Sequence, residues 1–298
     1  MSLLRLPTLE EVIRPRYGAR PRTIGVLSLD PGSYGKAALL AGVQQATRQT
    51  DSCMSMLSLE APSATALADA VERLGGLTVD GILVLAPQGA AVDALAGVSS
   101  EIPLVVVGAG RQDVLSSVTT DHYAGAAAAT RHLLELGHAS VFHIAGPADG
   151  GGAGSSYAEP GSRLAGWRDA LRAAGAPVPG AMIGDGTPEG GYRLGRRLAS
   201  QDEVTAIFVA SDQMALGVLH ALCEARRRVP EDVSIVGFGD MPEGEFFNPP
   251  LSTVRQNFIE MGRRGAELLQ TEIESPGGDM VHETIAAHLI LRASTAAA

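Results

Sequence analysis

The stretch Val204–Gln256, VTAIFVASDQMALGVLHALCEARRRVPEDVSIVGFGDMPEGEFFNPPLSTVRQ, decides the fold. Thr205-Ala206-Ile207-Phe208-Val209-Ala210 is an apolar run of strand length, and Ser211-Asp212 behind it is a good helix N-cap. Met214, Leu216, Val218, Leu219 and Leu222 then recur at helical spacing. Arg226, Arg227 and Arg228 read as a solvated helix end, where cations suit the negative end of the dipole. Pro230 stops the helix, and Val233-Ser234-Ile235-Val236-Gly237-Phe238 supplies the next buried strand. Ser211, Asp212, Gly239 and Asp240 are thereby expected on loops at the carboxyl ends of adjacent strands, the edge at which open α/β sheets hold ligands.

The same rhythm extends outward in both directions. Upstream, strands are expected at 23–29, 53–59, 80–85 and 103–107, with helices over 36–49 and 64–75. A brief strand near 118–121 leads into an alanine-rich helix at 122–136. A second set follows, with strands at 140–145 and 181–183 and helices at 161–174 and 188–199. Downstream come a helix at 257–274 and a final extended run at 281–291. Such alternation means α/β, a doubly wound parallel sheet, and 298 residues leave room for two lobes.

Composition excludes several classes. A net charge of −10 argues against nucleic-acid affinity in the chain as a whole, because phosphate contacts need clustered Lys and Arg. No apolar run reaches the roughly 18 residues a membrane span needs. The opening MSLLRLPTLEEVIRPRYGARPR lacks the continuous apolar core of a secretory signal. Cys53 and Cys223 read as buried small hydrophobes, which fits a reducing cytoplasm. The 36 glycines are expected at tight strand-to-helix turns.

Catalytic chemistry finds no support. Gly-x-Ser-x-Gly, His-Glu-x-x-His and Cys-x-x-Cys are all missing, so no catalytic residue and no cofactor is assigned. His132, His138 and His143 lack metal-ligand spacing, and Asp240–Glu245 lacks the calcium-loop pattern, so no metal is assigned. Val105–Gly110 imitates a dinucleotide fingerprint but leads into a strand instead of a helix. The Gly-rich loop 146–156 has no Lys for a phosphate cradle and reads as a lip over a cleft.

Three ordered motifs carry a family resemblance: SDQMALGVLHAL, RRVPEDVSIVGFGD and FFNPPLSTVRQNF. Together with Ser162-Arg163-Leu164-Ala165-Gly166-Trp167, they resemble the effector-binding core of LacI/GalR-type bacterial transcription regulators over about residues 22–293. The resemblance implies a periplasmic-binding-protein-like type I core, two doubly wound lobes joined by three crossovers near 121, 255 and 281. On that basis the first lobe takes 23–120 plus 256–280, the second takes 121–255 plus 281–293, and 294–298 is a tail. Leu6–Val12 resembles the opening of the helix-turn-helix headpiece that precedes this core in the family. Residues 1–22 are too few for the three helices of a headpiece, so they are expected to be a vestigial remnant with DNA binding impaired or lost.

The resemblance also implies a small, sugar-like or otherwise polar effector between the lobes. Asp30 or Tyr34 would touch it from one side and Arg163, Ser211 and Asp240 from the other, with Gly108, Gly239 and Gln256 also assigned to the site. Arg163 matches a position that points into the cleft, where a planar fork of donors suits hydroxyls or an acidic group. Family cores usually carry Asn at Ser211, Asp at Gly239 and Trp at Gly186, and Asp is frequent at Gly108. The pocket therefore departs from a common sugar site. A homodimer is implied, with Leu216, Met241, Phe246 and Phe247 at its interface. Binding would close the lobes and pass the change across the dimer. Operator DNA is a partner only with a complete headpiece upstream, and no membrane partner is expected. The alternative is a stand-alone binding protein for uptake or sensing.

Overall fold

The structure is a computed structural model, which describes residues 21–29, 34–59, 64–86, 95, 102–108, 115–146 and 158–298. The headpiece-like segment 6–12, Asp30 and most of the Gly-rich loop lie outside the described residues.

The chain builds β1 (Thr23–Leu29), α1 (Tyr34–Gln49), β2 (Cys53–Leu59), α2 (Ala64–Gly76), β3 (Gly81–Leu85), β4 (Leu104–Val107) and β5 (Ser116–Thr120). It then passes to α3 (His122–Glu135), β6 (Phe142–Ala145), α4 (Ala158–Ala173), β7 (Met182–Ile183) and α5 (Pro188–Ala199). The quoted stretch follows as β8 (Ala206–Val209), α6 (Asp212–Glu224), β9 (Ser234–Gly239) and β10 (Ser252–Arg255). Last come α7 (Phe258–Glu274), β11 (His282–Ile285) and β12 (His288–Ile290).

These strands form two six-stranded sheets, ordered β11-β5-β4-β3-β1-β2 and β12-β10-β9-β8-β6-β7. All neighbours run parallel except β12, which runs against β10. β3, β4 and β8 are buried at every position, as expected of strands covered by helices on both faces. Four apolar clusters, two on each sheet, fill the spaces between helices and strands.

Two expected boundaries change. The extended run at 281–291 is two strands in different sheets. His282–Ile285 pairs with Ser117–Thr120 in the first sheet, so this piece leaves the second lobe and the third crossover falls at 286–287. Val281 N donates to Ser116 Oγ at 3.0 Å and Ser117 Oγ meets His282 Nδ1 at 3.0 Å, which secures that register. Nor is 294–298 a loose tail. Ser294 is fully buried, its hydroxyl donates to Ile235 O at 2.7 Å and accepts from Ser252 N at 2.8 Å. Ala298 N donates to Leu136 O at 3.0 Å.

Three helix pairs, α1–α7, α3–α4 and α5–α6, lie in contact, and glycines make the approach possible. A Cβ on Gly217 would run into the Pro188 carbonyl, and one on Gly191 into the Met214 carbonyl. Gly42 and Gly262 meet the facing backbone in the same way across α1 and α7. Part of the glycine content therefore serves helix contacts as well as turns.

The cysteines and the arginine cluster also differ from expectation. Cys53 opens the edge strand β2 and Cys223 lies opposite the buried face of α6, so both are exposed. The helix ends at Glu224, and Arg226 takes φ 58°. Arg227 turns inward and donates to Val204 O at 2.7 Å and Gln201 O at 3.2 Å. It pins the loop before β9 to the loop before β8 and is no mere solvated helix end.

Candidate ligand-binding crevice

The chain crosses between the sheets after β5, after β10 and between β11 and β12. Thr120 Oγ1 touches both of the other crossovers, at 3.1 Å from Ile285 O and 3.4 Å from Gln256 O. Asp121 N donates to Ile285 O at 3.0 Å. Gln256 is buried in this junction.

On the second lobe, α3 and α4 bring His122 and Arg163 to the carboxyl end of β9. The His122 ring stacks on Phe238 with centroids 5.7 Å apart, and the Arg163 guanidinium carbon lies 5.3 Å from the Phe238 centroid. Arg163 Nη1 is 3.4 Å from His122 Nδ1. A guanidinium can only donate, so Nδ1 is the acceptor of this contact. Arg163 Nε is buried and has no hydrogen-bond partner.

The loops after β8 and β9 are held together by Asp212. Its carboxylate is buried, accepting from Thr253 Oγ1 at 2.5 Å and from Met241 N at 2.8 Å. Burial pushes this carboxyl up to about 6, with the two hydrogen bonds pulling the other way. Gly237 is required beside it, because a Cβ there would strike Asp212 Oδ1. Ser211 caps α6, accepting from Met214 N at 3.2 Å.

Asp240 sits at φ 55°, following Gly239 at φ 132°. Its carboxylate binds Arg255 Nε at 2.5 Å and Arg292 Nη2 at 2.7 Å and is 7% exposed. The acceptor expected for a ligand is thus committed to two arginines of the chain itself.

From the first lobe, Tyr34 at the start of α1 meets Phe258 edge-on at 6.0 Å. Burial raises its phenol above the ordinary value, and the negative charges of Asp240 and Glu243 raise it further. Those two acids belong to the loop after β9, so Tyr34 faces the second lobe. Gly108 ends β4 with φ 83°. Sequence reasoning missed His122, Phe238, Arg255 and Arg292. For the last two the available signal was position, Arg255 closing β10 and Arg292 lying two residues past β12.

Of the expected interface residues, Leu216 and Phe246 are exposed, Phe246 to 84%. Met241 and Phe247 are half-buried, and Phe247 packs on the cluster around α6.

Two mostly parallel sheets joined by three crossovers, with polar side chains gathered at strand carboxyl ends, define a two-lobed small-molecule binding core. A family model described as a periplasmic binding protein-like domain matches residues 130–295, more than half the chain. The chain belongs to the periplasmic binding protein-like family, and its core is of the LacI type. It is 35% identical to the HTH-type transcriptional regulator CelR of Thermobifida fusca, over 75% of this chain and 66% of that protein. It is 34% identical to the HTH-type transcriptional repressor PurR of Haemophilus influenzae, over 68% of this chain and 60% of that protein. The matched part thus spans under two thirds of either relative. Among solved structures, a CelR–cellobiose complex is 29% identical, with TM-score 0.77, covering 92% of this chain and 85% of that one. The Lac repressor dimer bound to operator and the anti-inducer ONPF shares the fold, with TM-score 0.84 at 24% identity, covering 94% of this chain and 96% of that one. Among the described residues no helix is long and apolar enough to cross a membrane.

Proposed function

We propose that this chain is the effector-sensing core of a LacI-type transcriptional regulator, working in the cytoplasm as a homodimer. A small polar effector enters between the lobes and shifts the population toward the closed form. The observation that carries this reading is the pair of sheets joined by three crossovers, with Arg163, His122 and Phe238 gathered at the carboxyl end of β9. The relatives CelR and PurR favour a regulator over a stand-alone uptake protein. Operator binding belongs to the proposal only where a complete headpiece precedes the core.

Exposed Leu216 and Phe246 support the dimer, since apolar groups of this size favour burial against a partner. Sedimentation velocity at micromolar concentration should give a dimer, and Phe246→Glu should shift it toward monomer. A monomeric wild type removes that part of the proposal. The sensing function is tested by thermal shift and small-angle scattering with neutral sugars, sugar acids, sugar phosphates and nucleosides. A binder should raise Tm and reduce the radius of gyration. A panel in which nothing raises Tm defeats the reading.

A further inference from the structure

We infer that a second ligand site lies on the first lobe, at the amino edge of its sheet, and that it takes a small cation on an apolar body. A cavity of about 360 Å³ opens there, a volume in the range of small-molecule pockets. Leu104 at the start of β4, Leu115 before β5 and Leu268 on α7 form its apolar wall. Met280 and Val281, on the segment leading into β11, extend that wall and are both exposed. Apolar groups left open to water gain by being covered, and an unbranched Met adapts to the shape that covers it.

The charge at the cavity has one sign. Glu272, half-buried on the last turn of α7, and Asp279 both line it, and none of the described residues around it is Lys, Arg or His. The last turn of α7 carries no basic residue, so the negative end of that helix has no counter-charge of its own. Arg22 reaches the same helix end, but Glu274 takes it, with Nη1 2.7 Å from Oε1. An alkylammonium answers all of these features. Its carbon body covers the leucines and Met280, and its N–H donors face carboxylates and helix-end carbonyls. An anion would meet only like charge.

The place of the cavity in the fold gives such a ligand an effect. It is bounded by the amino ends of β5 and β11 and by the carboxyl end of α7. Those are the elements that run to the three crossovers: β5 ends at Thr120, β11 ends at Ile285, and α7 starts just after Gln256. The hydrogen bonds of Thr120 Oγ1 join all three at the far edge. Between the two edges α7 spans 17 residues, about 25 Å. A ligand seated between α7 and these strands sets their spacing at one edge, and close-packed elements carry the shift to the junction at the other. The site thereby biases the hinge without touching the crevice, a consequence that rests on the sensing function proposed above.

Calorimetry on the full chain with phenethylamine, phenethyl alcohol and hydrocinnamate tests this, since the three share a body and differ in charge. The amine should bind at least about tenfold tighter than the alcohol, and the acid weakest of all. Glu272→Gln combined with Asp279→Asn should abolish the preference while keeping the wild-type Tm. Small-angle scattering at amine saturation should show a changed radius of gyration. An alcohol or acid that binds as tightly as the amine, or a preference retained in the double variant, overturns the site. Binding by no member overturns it too, and Met280→Glu then shifting sedimentation toward monomer would make this edge a contact between copies. A radius unchanged at saturation overturns the coupling to the hinge. Effector binding in the crevice is read from a separate panel and stands or falls independently of these results.

Discussion

Acid should unfold this protein partly through one side chain, His143. The residue lies on β6, 1% exposed, with its ring 4.7 Å from Phe208 and 5.2 Å from Trp167. Its Nδ1 is 2.9 Å from Phe208 O, a carbonyl that can only accept, so Nδ1 carries the proton and donates. Nε2 is buried with no partner. Burial lowers its pKa from 6.5 to about 3, the bond to Phe208 O opposing and Arg163 adding to the fall. The sign follows directly. The unfolded chain takes up a proton near pH 6.5 that the folded chain refuses until about 3, so stability is complete above the first value and lost as pH falls below it. At pH 5 linkage gives a loss of about 2 kcal/mol, against under about 0.1 kcal/mol at pH 7.5. Urea melts of wild type and His143→Leu at both pH values isolate the effect, because the other titrating groups are common to both proteins. Wild type should lose about 2 kcal/mol more than the variant on acidification. Equal losses would refute the claim that a neutral imidazole is held in this core.

Asp212 acts in the opposite direction. Its folded pKa of about 6 exceeds the ordinary 3.8, so its contribution is present below 3.8 and lost as pH rises through about 6. The full effect is about 3 kcal/mol by linkage, so the stability of Asp212→Asn relative to wild type should grow by up to that amount between pH 4 and 7.5. A difference independent of pH in the same melts would contradict the burial argument. Gly217→Ala should cost roughly 1–3 kcal/mol, because a methyl group there meets the Pro188 backbone, which cannot rotate away. Gly76→Ala is the control, since a Cβ there meets nothing within 4 Å and should be neutral or slightly stabilising.

The quoted stretch was legible because each signal was local. The cap at Ser211, the helix spacing through Leu222 and the buried run to Phe238 all lie within one strand–helix–strand unit. The two boundaries that moved were not local. His282–Ile290 reads as one extended run because only Ala286-Ala287 separates strands that pair in different sheets. Ser294 is buried by partners on β9 and on the residue opening β10, tens of positions away. Site residues divide in the same way. Arg163 is proposed from its motif, whereas the capture of Asp240 depends on Arg292, 52 positions along the chain. Exposure of Cys53 follows from β2 taking the edge of its sheet, which the residue types around it do not state.

How the lobes can move follows from the junction that joins them. A hydroxyl has one proton, and Thr120 Oγ1 holds it between the carbonyls of the other two crossovers, while Asp121 N takes Ile285 O as well. Any motion that slides one crossover past another must leave a buried polar group unpaired, at about 1–3 kcal/mol each. A bend shared by all three strands leaves these bonds intact. Tyr34 belongs to the first lobe and Arg163 to the second, so a rotation that preserves the junction changes the distance between them. A ligand touching both residues is then the simplest agent able to set that angle, because it interacts differently with the open and closed forms.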